Sequence, residues 1–170
     1  MENVAHQGTA STEFESLRKR LLRLDGPSRN AFALVCAERL VRRAPANIVG
    51  QLSEALAVGW SVAQGQEGDL ASTRAHLEQR ADFDSDPVAA AAYALGAVGG
   101  SADDAWQTAS RSLDSAFDRI EYPVDASTFR PLAIDMATPV VQAELRWQDH
   151  ALTMLEGSGP SADVIKHLRV

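Results

Sequence analysis

Residues 82–100 constrain the fold of this chain more than any other stretch: Asp-Phe-Asp-Ser-Asp-Pro runs into Val-Ala-Ala-Ala-Ala-Tyr-Ala-Leu-Gly-Ala-Val-Gly-Gly. Asp86 can accept from the free amides of a first helical turn, Pro87 suits the first helical position, and Gly99 or Gly100 suits the end. Almost every side chain between these signals is apolar and small. Such a helix can be approached closely from several sides, so the pattern predicts a buried central helix in an all-α domain.

The flanking sequence supplies helices to surround it. Thr12 and Glu15 form a capping box ahead of an apolar face made by Phe14, Leu17, Leu21, Leu22 and Leu24. Asp25-Gly26-Pro27-Ser28 breaks that helix, and a second, over about 27–43, carries Ala31, Phe32, Val35 and Cys36 inward with Arg39, Arg42 and Arg43 in its last turn. A third, about 46–64, spaces Ile48, Leu52, Leu56 and Trp60 helically, and a weaker fourth runs from Asp69 to about Arg80. Ser101 and Asp104 start a sixth with a stripe of Trp106, Ala109, Leu113, Ala116 and Phe117. Residues 122–138 read as the longest irregular segment and the most mobile loop. Thr138 and Pro139 open a seventh helix through about Leu155, and Gly157-Ser158-Gly159-Pro160 separates it from a short last one. The expected architecture is a single-domain bundle of seven to eight helices, antiparallel to their neighbours because the links are short, over 12–170, with 1–11 as a disordered leader.

Length and composition fit this reading. A chain of 170 residues with 45% hydrophobic content supports one sizeable core. Cys36 is the only cysteine, so no intramolecular disulfide can form, and the absence of a secretory pattern or a membrane-length apolar run makes the cytoplasm the expected location. The net charge of −7 argues against non-specific nucleic-acid binding, and no membrane association is expected. Charge is polarised: residues 1–50 carry eight basic and five acidic side chains, while the remainder carries eight basic and eighteen acidic ones. The bland reading of the acidic portion is a solvated surface; the sharper one is a face for a basic partner.

No catalytic constellation emerges. Asp82, Asp84 and Asp86 resemble the opening of a calcium loop, but Pro87 stands where that loop needs glycine and Tyr93 where it needs a bidentate glutamate. His6, His76, His150 and His167 show no metal-ligand spacing with one another or with Cys36, and no Glu-x-x-His pair is present. Cys36 sits among apolar neighbours and reads as core. No cofactor is expected, and an enzymatic role is disfavoured. One polar group stands apart: Glu38, Arg39 and Trp60, with Glu144 and Gln148 of the seventh helix, can either line a ligand pocket or pair across the bundle and fix which helices pack together.

These same residues carry a resemblance to a known family. Phe32-Ala33-Leu34-Val35-Cys36-Ala37-Glu38-Arg39-Leu40, Trp60 near the end of an apolar helix, the acidic cluster entering the alanine helix, and Glu144-Leu145-Arg146-Trp147-Gln148 occur in an order and spacing similar to the bacterial domain-of-unknown-function family 416. The resemblance spans most of residues 14–156. It implies a small all-helical protein, brings no catalytic residues, and carries an association by genome context with histidine-kinase signalling.

The expected function is a non-enzymatic protein-binding module in regulation or signalling, with Arg39, Arg42 and Arg43 as its partner surface; homodimerisation is compatible with it. The alternatives are a small-molecule-binding protein or unrecognised enzyme with a pocket near Glu38 and Glu144, and an immunity-type protein whose acidic face neutralises a basic toxin.

Overall fold

The computed structural model describes residues 3–122 and 132–170. Nine helices and no strand occur among them: α1 (Asn3–Arg23), α2 (Gly26–Val41), α3 (Ala46–Ala63), α4 (Leu70–Glu78), α5 (Asp86–Val98), α6 (Ala102–Phe117), α7 (Leu132–Met136), α8 (Pro139–Ser158) and α9 (Ala162–Leu168).

The alanine helix is the centre, as its composition predicts. α5 packs against α2, α3, α4 and α6, and Val88, Ala89, Ala90, Ala91, Ala92 and Ala94 are wholly buried. Its start is one residue earlier than the expected cap: Ser85 is the N-cap, and Asp86 lies within the first turn, where its negative charge still faces the positive end of the helix. Its end uses both glycines. Gly100 adopts φ +105°, which a side chain would resist, and this lets the Gly100 amide reach the Ala97 carbonyl at 2.9 Å and the Ser101 amide reach the Gly96 carbonyl at 3.0 Å. Ser101 then caps α6 by accepting from the Asp104 amide at 3.2 Å.

Small residues also permit close crossings. The Arg74–Asp104 ion pair, 2.6 Å long, ties α4 to α6 over the backbone of α5 at Gly96, where a Cβ would stand 2.1 Å from both Arg74 Nη1 and Asp104 Oδ2. At Gly59, α3 presses on α2 and α5 so closely that a Cβ would meet Leu34 Cδ2 at 2.8 Å and Leu95 Cδ2 at 3.1 Å.

Several boundaries depart from the sequence reading. α1 begins at Asn3 rather than Thr12, because no proline or αL glycine lies between them and the helix continues back through the polar residues without a break. Leu17, Leu21 and Leu24 are buried as expected, whereas Leu22 turns outward, 39% exposed. Part of the segment read as a long loop is the one-turn α7; residues 123–131 of that segment lie outside the described residues. No described helix is long and apolar enough to cross a membrane.

Candidate functional site

Glu38 and Arg39 are neighbours on α2, and a helix turns successive side chains about 100° apart, so the two leave in different directions and enter different networks. Glu38 faces α3 and the end of the chain. Its carboxylate accepts from Trp60 Nε1 at 2.6 Å and from Arg169 Nε and Nη2, each at 2.8 Å. The Arg169 guanidinium also lies 4.4 Å from the Trp60 ring centre, and Arg42 donates to the Arg169 carbonyl. This fork-on-carboxylate geometry, stacked on an indole, ties α2, α3 and the residue after α9 together.

Arg39 crosses to α8. Its Nη2 lies 3.2 Å from Glu144 Oε2, and its guanidinium sits 3.6 Å from the centre of the Trp147 ring. Glu144 is only 2% exposed, so its charge depends on these partners. Oε1 accepts from Ser112 Oγ at 2.6 Å and from Gln148 Nε2 at 3.2 Å, and Gln148 Nε2 also reaches the Ala109 carbonyl at 3.0 Å. The set links α2, α6 and α8. Burial lowers the Arg39 pKa, with Glu144 opposing that shift. Two buried atoms of this network, Arg39 Nη1 and Gln148 Oε1, have no hydrogen-bond partner among the described residues. Cys36 is fully buried: burial pushes its thiol pKa well up and Glu144 adds to the rise, so it is not an activated nucleophile.

The five residues read from sequence as one group therefore divide into two. Glu38 and Trp60 belong with Arg169, and Arg39, Glu144 and Gln148 belong with Ser112. Glu38 edges a surface groove of about 280 Å³ whose floor is Val41, Val49 and Leu56 and whose rim includes Arg42 and Arg169. Glu144 and Gln148 do not line this groove.

The three arginines expected on one surface also separate. Arg39 is held inside by Glu144 and Trp147, Arg42 is exposed but engaged with the chain end, and Arg43 is exposed. Sequence reading missed Arg119. Its side chain is exposed, yet its pKa is lowered, first by partial desolvation and next by the charge of Arg43, with Glu144 opposing the shift; α2 and α6, which end just before these two arginines, pack together. Among the described residues neither Arg42, Arg43 nor Arg119 pairs with a carboxylate, whereas Arg20, Arg74, Arg80, Arg111 and Arg169 all do.

A second groove, about 400 Å³, opens beside Asp84, Asp86, Arg111, Asp114 and Asp118. Burial raises the carboxyl pKa of Asp86 and of Asp114; Arg111 opposes the rise in both, and Asp118 adds to it. Arg80 forks onto Asp82 at 2.8 and 2.9 Å, so the acidic triplet is divided between arginines instead of converging on a cation. No group of three or more His, Cys, Asp or Glu positioned to hold a metal occurs among the described residues.

No family model matches the sequence, and no curated protein matches it. The fold is similar to that of a DUF416 family protein from Shewanella baltica OS155, with a TM-score of 0.72 at 23% identity, over 89% of this chain and 90% of that one. This is the family that the ordered motifs of the sequence resemble, and the likeness in structure spans nearly the whole length of both chains.

Proposed function

We propose that this chain is a non-enzymatic protein-binding module that docks an acidic segment of its partner on the basic patch formed by Arg43 and Arg119, with Arg42 at its edge. The observation that carries the reading is the gathering of like charges: Arg43 opposes the charge of Arg119 and, with Arg42, that of Arg39, while the one carboxylate that favours them, Glu144, is ion-paired with Arg39 among the described residues. In an acidic protein of net charge −7, most other arginines are neutralised within the fold, so an arrangement that costs stability calls for a compensating role. The division of Glu38, Arg39, Glu144 and Gln148 into interhelical ties supports the same view, since these groups are occupied in holding helices together. A place in bacterial regulation or signalling rests on the family resemblance, and a cytoplasmic location on the lack of a secretory pattern in the sequence.

The test is the affinity of a purified partner, first recovered by co-purification, for the wild-type chain and for the double variant Arg43→Glu, Arg119→Glu. Charge reversal should weaken binding at least about ten-fold, mostly through slower association, and steepen its contrast with wild type at low salt. Arg146→Glu, an exposed change on α8 in the groove beside Glu13, Ser16 and Leu17 of α1, should leave binding unchanged. Equal binding by all three proteins contradicts the reading. Loss on replacing Asp114 and Asp118 instead would favour a basic partner, as an immunity-type role requires.

The groove at Glu38 supports a second reading, small-molecule binding, because an apolar floor meets charged rim groups of both signs there. A ligand in that groove would change on substitution of Ser53 or Val49, and the basic-patch variants would not affect it.

A further inference from the structure

Two histidines that are seventeen positions apart in sequence meet on the outside of the bundle. His150 of α8 and His167 of α9 are both exposed, and their Nε2 atoms stand 3.4 Å apart, with ring centres 5.6 Å apart and planes inclined at 61°. As a hydrogen bond between neutral imidazoles this separation is long. It equals the edge of a tetrahedral coordination sphere: two nitrogens each about 2.0–2.1 Å from one zinc ion lie about 3.3–3.4 Å apart.

From this geometry we propose that His150 and His167 form a two-histidine clamp for a borderline divalent transition ion such as Zn²⁺ or Ni²⁺, which staples α9 to α8. Imidazole nitrogen selects such ions over Mg²⁺ and Ca²⁺, which prefer oxygen. The two side chains need little reorganisation. α8 is a 20-residue helix packed on α6, and α9 is anchored by Val164 and Leu168, buried one turn apart on the same face. Water completes the coordination, because no third protein ligand joins the pair among the described residues. The clamp does not depend on the protein-binding reading. Its consequence is local: α9 leads directly into Arg169, whose fork on Glu38 and contact with Trp60 close one side of the Glu38 groove, so a bound ion holds that closure in place.

Titration calorimetry with ZnCl₂ on the tag-free full chain, compared with His150→Asn, His167→Asn and the control His76→Asn, tests the clamp. The wild type and the control should bind one equivalent, and each clamp variant should bind at least about ten-fold more weakly, because chelation becomes single-point attachment. Both substitutions are at exposed positions, and circular dichroism checks that the variants fold. MgCl₂ should give no saturable binding, and acidification should release zinc, since only neutral imidazole coordinates. Hydrogen exchange in α9 should slow on zinc addition in the wild type alone. Zinc binding undiminished in either clamp variant, absent from the wild type, or taken up only as several weak equivalents would overturn the site; binding without slower exchange in α9 would overturn the staple.

Discussion

Gly59 shows how tightly single residues are constrained. Leu34 and Leu95, the side chains that a Cβ at this position would strike, are themselves 0% and 1% exposed and have nowhere to move. Gly59→Ala gains helix propensity, but overpacking of this kind costs about 1–3 kcal/mol, so a net loss of stability is expected in urea denaturation. Arg39 poses a different problem. Replacing it with methionine leaves Glu144 buried with the hydrogen bonds of Ser112 and Gln148 and the charge of Arg119 as its support, and breaking such a pair costs about 3 kcal/mol. Adding Glu144→Leu to Arg39→Met should recover part of that loss, because the stranded charge is gone; a double variant no more stable than the single one would show that packing on Trp147, not charge, makes Arg39 important. The sequence marks Glu38, Arg39, Glu144 and Gln148 as unusual because they interrupt apolar helices. It does not show that they divide into two networks. That depends on the 100° step between Glu38 and Arg39 and on Arg169, a residue 131 positions away that no local pattern connects to Glu38.

At the scale of elements, legibility follows size and local punctuation. α5 is readable because small residues fill it and Pro87 and the paired glycines bound it, and α6 because Ser101 and Asp104 announce it. α7 is not, since one turn between Pro131 and Pro139 has too few residues to show a period. The meeting of α8 and α9 at His150 and His167 is equally silent in sequence, as it arises only when the turn at Gly159, with φ +64°, and Pro160 folds the chain back. Helix α6 carries a testable cost of its own. Asp114 lies in its last turn, near Asp118 and against the negative end of the helix dipole; although it is exposed, partial desolvation raises its carboxyl pKa, with Arg111 opposing the rise and Asp118 adding to it. The native state therefore holds this proton more tightly than the unfolded chain does. Stability falls as pH rises between the two titrations and stays lower above them. Asp114→Asn should raise the melting temperature at neutral pH, and the gain should fade as pH drops through the carboxylate range. A gain that persists unchanged at acid pH would mean that the charge of Asp114 is not the cause.

Over the whole molecule, the distribution of arginines connects fold to function. Arg20 binds Asp149 and Glu156 between α1 and α8, Arg74 links α4 to α6, and Arg169 secures the chain end, so much of the positive charge is spent inside an acidic protein. The ends of α2 and α6 are different: Arg43 acts on Arg119 there, and neither is ion-paired with a carboxylate among the described residues, since Glu144, whose charge also reaches Arg119, is paired with Arg39. Neutralising one of them should relieve repulsion within the folded protein while weakening capture of an acidic partner. The overall charge bias of residues 1–50 is visible in the sequence, but Arg119 lies in the acidic remainder, and only the packing of α6 on α2 adds it to the patch. The most direct measurement is the affinity of the purified partner for Arg43→Glu, Arg119→Glu relative to wild type and to Arg146→Glu. The basic-patch account predicts a loss of at least about ten-fold in the double variant alone, shrinking as salt is raised; full binding by the double variant would contradict it.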